Sequence, residues 1–263
     1  MVVIRTNTLI STGIVEATKT LSQPRWSYQT LCRPFAPLKG MRTSLDSKHP
    51  LSNLGTGIRH AIEPVVTRPL KNFLDTLQDI CSFIVLLHDC DSGGDFPESD
   101  GQVADQRNVI QYRLMSLPTS IELQLAPPVQ MYEVLRLATI IFSLLVVFPI
   151  TPSAAPFGRL GTHLRAEIEK LNIYSQSPEK LHLVTWATVM GGIAAIGTPD
   201  RPWYVSTLEA LYSHHQFETW EQVKTLLESF LWLRGTNDVD GISLWEEFIQ
   251  LRSYRSGGQF EIL

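Results

Sequence analysis

Apolar residues recur at helical spacing along most of the chain after residue 67. The first clear run is spaced 3, 1, 3, 3 and 1 positions apart, as on one helix face, and consists of Leu70, Phe73, Leu74, Leu77, Ile80 and Cys81. Similar patterns predict helices over about residues 101–116, 128–148 and 160–171. No useful length of chain alternates between apolar and polar positions, as a half-buried strand does. The sequence therefore predicts an all-α fold, an irregular array of seven to eight helices.

Helix start signals mark the last third of the chain. Ser177 followed by Pro178 fits a helix cap with proline at the first helical position. Three later positions match the capping box, in which serine or threonine is followed three residues on by glutamate or glutamine. They are Ser206 with Glu209, Thr219 with Gln222, and Ser243 with Glu246. Each precedes an apolar periodic run and predicts the start of a helix.

Residues 1–66 show no sustained period and are punctuated by prolines. We expect a loosely structured N-terminal arm, mostly irregular with short helical turns, followed by a helical domain over residues 67–263. The alternative for the serine- and threonine-rich start is a transit peptide. Residues 1–50 carry seven Lys and Arg against Glu16 and Asp46, whereas the whole chain has a net charge of −4. That balance argues against broad binding to a phosphate backbone.

The three cysteines, Cys32, Cys81 and Cys90, are odd in number and widely separated. They predict neither a disulfide framework nor a paired metal site, and they favour a reducing compartment. Residues 137–150 form an uncharged run of fourteen, whereas a bilayer span needs about 20. We expect a buried core helix there and no membrane partner.

Candidate metal ligands and catalytic groups occur without a recognisable spacing. Residues 89–100 superficially match a calcium loop. Gly93, Pro97 and Asp100, however, stand at ligand positions of that loop for which they are poorly suited. We therefore interpret the stretch as a polar loop. The histidines are interpreted as solvated surface side chains; they include His88, His163, His182, His214 and His215. Signatures of nucleophilic catalysis and of phosphate loops are missing from the sequence. We therefore predict no catalytic residue, no metal site, no cofactor, and a protein that is not an enzyme.

An uncharged stretch over residues 183–197 centres on Met190, Gly191 and Gly192. Glycine within a helix costs about 1 kcal/mol relative to alanine, so we expect a close approach of another helix to compensate. Five tryptophans are predicted to anchor the core beside it: Trp186, Trp203, Trp220, Trp232 and Trp245. The alternative is that these glycines and tryptophans line a pocket for an apolar small-molecule effector.

Two arginines interrupt apolar helical runs. Arg113 and Arg136 each carry a charge that would be costly to bury without a partner. We expect each to pair with an acid or with helix-end carbonyls. Glu133 and Glu246 are the candidate acids.

Four stretches of the chain together resemble a known family. They are residues 107–118 (RNVIQYRLMSLP); 132–141 (YEVLRLATII) continuing to 149; 186–195 (WATVMGGIAA) with 198–203 (TPDRPW); and 220–224 (WEQVK) with 230–232 and 244–247. In that order and spacing they resemble the regulatory, non-DNA-binding domain of fungal transcription factors of the binuclear zinc cluster type. The resemblance covers about residues 54–248.

The resemblance implies an all-helical fold, a nuclear location with the cytoplasm as alternative, and control of transcription through protein contacts. A full-length zinc cluster factor or a second copy of the chain would be the partner. Such factors usually begin with six closely spaced cysteines that bind two zinc ions beside a basic linker. The three scattered cysteines here depart from that pattern. Direct sequence-specific DNA binding is therefore not expected, and the resemblance supplies no catalytic residue.

Overall fold

A computed structural model of the chain describes residues 47–62, 68–92, 100–123, 130–150, 155–173, 176–215 and 217–257. Within these ranges the chain forms nine α-helices and no strand. They are α1 (Thr56–Ile62), α2 (Arg68–Asp91), α3 (Asp100–Met115), α4 (Gln130–Val146), α5 (Ala155–Glu169), α6 (Pro178–Ala194), α7 (Arg201–His215), α8 (Trp220–Ser229) and α9 (Asp238–Gly257). The all-α prediction is confirmed. The expected number of seven to eight helices is too low, because α1 has too few apolar positions to show a period.

The short helix α1 packs against the core although it falls within the predicted arm. Ile58 is fully buried and Ile62 is buried, and α1 lies against α6 and α8. Gly55 has a positive φ of 78°, and its N–H donates to the Phe230 carbonyl at 2.6 Å. Residues 1–46 of the arm lie outside the described residues. The domain boundary near residue 66 stays a prediction.

Two of the three predicted capping boxes do not start helices. Ser206 lies inside α7 and Ser243 lies inside α9. Helix α7 begins after Asp200, and the Asp200 carbonyl accepts from the Tyr204 N–H at 3.3 Å. Helix α9 begins after Asn237, and the Asn237 carbonyl accepts from the Gly241 N–H at 3.0 Å. A four-residue pattern does not distinguish the start of a helix from its interior, so stronger start signals a few residues earlier decide the boundary.

The capping box at the start of α8 is present as predicted. The Thr219 hydroxyl accepts from the Gln222 backbone N–H, and the Gln222 side chain accepts from the Thr219 N–H at 3.2 Å. These two bonds satisfy backbone N–H groups that the first helical turn leaves without partners. Helix α6 likewise begins at Pro178 as predicted, although the Ser177 side chain makes no capping hydrogen bond.

Replacing Thr219 with alanine is expected to lower the free energy of unfolding by about 1 kcal/mol, because one N–H of the first turn loses its acceptor. Thr225→Ala is the matched control, since the Thr225 hydroxyl lies within α8 and donates only to the Glu221 carbonyl. That change should be neutral or slightly stabilising. Chemical denaturation of both variants measures the difference, and equal stabilities would contradict the capping role.

Helix α6 is the centre of the fold. It contacts α1, α4, α5, α7, α8 and α9, and residues 183–195 are all buried. The uncharged stretch around the glycines therefore runs through the middle of the molecule. Helix α4 is the second interior element, since residues 131–145 are all buried and α4 contacts α2, α3, α5 and α6. Among the described residues, no helix combines the length and the apolar character that crossing a bilayer requires.

Candidate functional site

A buried arginine joins three helices at the start of α7. Arg201 is 8% exposed, and its Nε and Nη2 atoms donate to the Glu247 carboxylate on α9 at 2.8 to 3.1 Å. Its Nη1 atom donates to the Gly192 carbonyl of α6 at 2.6 Å. A planar guanidinium that binds a carboxylate and a carbonyl together fixes the relative orientation of the elements that carry them. We refer to Asp200, Arg201 and Tyr204 with their partners as the α7 junction.

The preceding residue, Asp200, ties α7 to α5. Its carboxylate accepts from the Thr162 hydroxyl at 2.6 Å and from Arg165 Nη1 at 2.9 Å. The Arg165 guanidinium also bonds to Glu169 at 2.8 Å and lies 5.3 Å from the centroid of the Trp203 ring. This geometry is that of a cation–π contact. Trp203 is thus half-buried and packs under the Arg165 guanidinium in the junction.

Tyr204 is the third residue of the junction, and its ring lies against Gly191 of the glycine pair. It is fully buried, and its hydroxyl donates to the Gly161 carbonyl of α5 at 2.6 Å. Burial raises the pKa of Tyr204, so the hydroxyl keeps the proton that it donates. A Cβ atom on Gly191 would overlap the Tyr204 ring, and one on Gly192 would lie 2.6 Å from Leu244 Cδ2. Tyr204 and Leu244 therefore pack directly against the backbone of the glycine pair.

Three of the singled-out tryptophans meet in an aromatic cluster near the C-terminus of the domain. Ring centroids within the cluster lie 4.8 to 6.5 Å apart in tilted or T-shaped geometry. Its members are Tyr212, Trp220, Trp232, Trp245 and Phe248. Such aromatic pairs contribute about 0.5–1.5 kcal/mol each beyond their burial. The cluster fastens α7, α8 and α9 to one another.

A charged pair lies beside Trp232 of this cluster. Asp238 accepts from Trp232 Nε1 at 2.8 Å and pairs with Lys224 Nζ at 3.1 Å. Burial opposes ionisation of Asp238, but these two partners outweigh it and lower its pKa. The carboxylate therefore stays charged at neutral pH and orients the indole.

Trp186 and Met190 lie apart from the cluster, fully buried on α6. Trp186 Nε1 donates to the Leu231 carbonyl at 2.9 Å, and its ring stacks on Phe230 at a centroid distance of 5.8 Å. The structure thus places the residues predicted as core anchors, or alternatively as an effector pocket, in three locations, namely α6, the α7 junction and the aromatic cluster.

The two arginines predicted to be buried differ in environment. Arg136 and Glu133 are only 7% and 8% exposed, and Arg136 Nη2 lies 2.5 Å from Glu133 Oε1. Arg113 is 35% exposed and pairs with Asp79 of α2, rather than with Glu133 or Glu246. Burial raises the pKa of Asp79 even though Arg113 acts to lower it. Arg113 lies in the last turn of α3, at the edge of the core, so its charge reaches solvent.

The structure describes only some of the remaining candidate ligands, and one of these, His88, belongs to a group of possible metal ligands. Residues 93–99 of the stretch that resembles a calcium loop, and the side chains of His214 and His215, lie outside the described residues. His163 is exposed and His182 is half-buried. His88 lies beside Asp89 and His49, a grouping that local sequence patterns did not predict because His49 is about forty residues away.

Residues 71–256 match the family model described as the fungal specific transcription factor domain. The chain belongs to this family. The matched range begins within α2 and ends within α9, so the fungal transcription factor domain contains both interior helices, the α7 junction and the aromatic cluster. Comparisons with curated proteins and with solved structures give no match. The resemblance drawn from the sequence motifs is confirmed.

In this fungal transcription factor domain, sequence reasoning missed the bonds of the α7 junction. Arg201 and Glu247 are 46 residues apart, and Asp200 reaches residues 35 and 38 positions away. One signal pointed to the site, since the charged pair Asp200-Arg201 stands between Pro199 and Pro202 directly after the uncharged stretch. A charged side chain at that place must either be buried in the core or point to solvent.

Proposed function

We propose that this domain regulates transcription through contacts with other proteins in the nucleus, and that a partner supplies the DNA binding. Membership of the fungal transcription factor family over residues 71–256 carries the proposal. The sequence has three cysteines and a net charge of −4. Within these 263 residues the three cysteines are too few for a six-cysteine zinc cluster, and a chain with a net negative charge is a poor general ligand for phosphates. Recruitment by a DNA-bound partner accounts for both features.

The outer face of α9 supports a role in protein contacts. Among the described residues, four of the six exposed large hydrophobic side chains lie on this helix: Val239, Ile242, Ile249 and Tyr254. At about 100° of rotation per residue, the first three fall within about 80° of one another around the helix axis. These side chains share one side of α9 with the exposed Glu246, and exposed apolar side chains grouped in this way are a candidate interaction surface. We call Val239, Ile242 and Ile249 the α9 face.

The partner we propose is a full-length zinc cluster factor of the same family. An amphipathic helix that buries one side in its own domain and exposes apolar residues on the other can pack against a helical surface of a second protein. A related regulatory domain, being all-helical, offers such a surface. A second copy of this chain is the competing occupant, and the oligomeric state of the purified chain distinguishes the two.

A tethering experiment tests the proposal. The full chain is fused to a heterologous DNA-binding domain in fungal cells, and transcription of a reporter beneath the cognate site is measured. We expect a change of at least about threefold relative to the DNA-binding domain alone. The double substitution Ile242→Asp and Ile249→Asp should abolish it, because two carboxylates on the α9 face must be desolvated when a partner binds.

The chain offers a matched control for that variant. Ser243 and Gln250 are exposed neighbours of Ile242 and Ile249 on the same helix, so Ser243→Asp with Gln250→Asp adds the same charge beside the α9 face. This control should keep the reporter response. Fluorescence microscopy of the tagged chain should show it in the nucleus. An unchanged reporter together with exclusively cytoplasmic fluorescence would overturn the proposed function.

A further inference from the structure

Two histidines and an aspartate meet where the chain enters the domain. His49 precedes α1, whereas His88 and Asp89 lie in the last turn of α2. One ligand atom of each residue lies within 4.8 Å of the others. His49 Nε2 is 2.9 Å and His88 Nδ1 is 3.8 Å from Asp89 Oδ1, and the two imidazole centroids are 5.4 Å apart. The fold therefore brings together three side chains that can bind a metal, from two segments that are far apart in the sequence.

We propose that His49, His88 and Asp89 bind one divalent cation of the zinc class. Two imidazole nitrogens and one carboxylate oxygen are a donor set that Zn²⁺ accepts, with bonds of about 2.0–2.2 Å and a fourth position left for water. Ligand atoms around a tetrahedral ion with such bonds lie about 3.3 Å apart. The distances of 2.9 and 3.8 Å from Asp89 Oδ1 to the two histidine nitrogens lie on either side of that value, and all three ligand atoms lie within 4.8 Å of one another.

The electrostatics of this group favour a cation. The Nδ1 atom of His88 is buried and has no hydrogen-bond partner in the described part of the chain, although buried ring nitrogens are normally paired. The site also lies at the C-terminal end of α2, where helix carbonyls place partial negative charge. The three side chains are 14%, 33% and 34% exposed, so the group lies near the surface of the domain.

One bond must change when the cation binds. His49 Nδ1 accepts from the Leu51 N–H at 3.1 Å, which places the ring proton on Nε2, where it is donated to Asp89. Ligation through Nε2 moves that proton to Nδ1 and breaks the bond from Leu51. The bound ion then replaces the His49–Asp89 hydrogen bond as the link between the segment before α1 and the end of α2. The proposed ligands include no cysteine, and the site does not depend on the proposed function.

Calorimetric titration of the full chain tests the proposal. After treatment with a chelator, the protein is titrated with ZnCl₂, and we expect one equivalent to bind at this site. Asp89→Asn is the sharpest variant, because its amide oxygen can still accept the proton of His49 Nε2 but is a poor metal ligand. It should weaken zinc binding at least about tenfold. His88→Ala should do the same without disturbing the His49–Asp89 hydrogen bond.

His163→Ala is the matched control, since His163 is exposed on α5, and it should bind zinc like the unmodified chain. Zinc should also raise the melting temperature of the unmodified chain and of His163→Ala, but not of Asp89→Asn. Circular dichroism establishes that each variant keeps its helices. Equal zinc stoichiometry and affinity in the unmodified chain, His88→Ala and Asp89→Asn would overturn the proposal, whether zinc then binds elsewhere or not at all.

Discussion

Replacing Glu133 with alanine is expected to lower the free energy of unfolding by about 3–5 kcal/mol, because it leaves the buried Arg136 guanidinium without a counter-charge. Both Glu133 carboxylate oxygens bind this guanidinium. Glu133 Oε2 also accepts from the Ser120 N–H at 3.0 Å, so a backbone donor of the loop between α3 and α4 loses its acceptor as well. Denaturant unfolding followed by circular dichroism measures the change.

Removing both charges provides the control. The double variant Glu133→Leu with Arg136→Met replaces the ion pair by apolar side chains of similar size, and buried pairs exchanged in this way are often neutral or stabilising. We expect it to recover most of the stability that Glu133→Ala loses. A loss below about 1 kcal/mol for Glu133→Ala alone would show that water reaches the Arg136 guanidinium and that the pair is not buried in solution.

The contrast between Arg136 and Arg113 shows what the sequence could predict. Arg136 stands in a run in which all residues from 131 to 145 are buried, so its charge had to be buried and its acid had to be close. Glu133 lies one helical turn away, so helical spacing could identify it as the partner of Arg136. Arg113 lies on α3, where polar residues separate the buried positions Ile110 and Leu114. The pattern there did not fix which side of the helix faces solvent.

Contacts between distant segments lay beyond the sequence patterns. Helix periodicity and capping describe spacings of three or four residues. They indicated a helix in eight of the nine regions where the described residues form one, although two of the predicted starts were wrong. Arg201 with Glu247, and His49 with Asp89, are separated by 46 and 40 residues. Their pairing depends on how the helices pack around α6, which a spacing rule does not contain. The close packing at the glycines was therefore predicted, whereas the polar contacts beside them were missed.

Gly191→Ala is expected to lower the free energy of unfolding by about 2 kcal/mol. The Cβ atom that the substitution adds would overlap the Tyr204 ring, and overpacking of a close-packed interior typically costs about 1–3 kcal/mol or more. Tyr204 has little room to move, because it is fully buried and its hydroxyl is held by the Gly161 carbonyl. The helix propensity of alanine returns only about 1 kcal/mol. Denaturant unfolding gives the value.

Gly161→Ala separates this steric effect from helix propensity. Gly161 is also a glycine within a helix that packs on α6, but a Cβ atom there would meet its nearest neighbours at an ordinary 3.7 Å. The same substitution should then stabilise the protein by about 0.5–1 kcal/mol. The two variants differ in sign because only one of the two glycines carries a ring against its backbone. If both changes stabilised the protein, Tyr204 would have to move freely, and the rigid packing of α7 on α6 would be wrong.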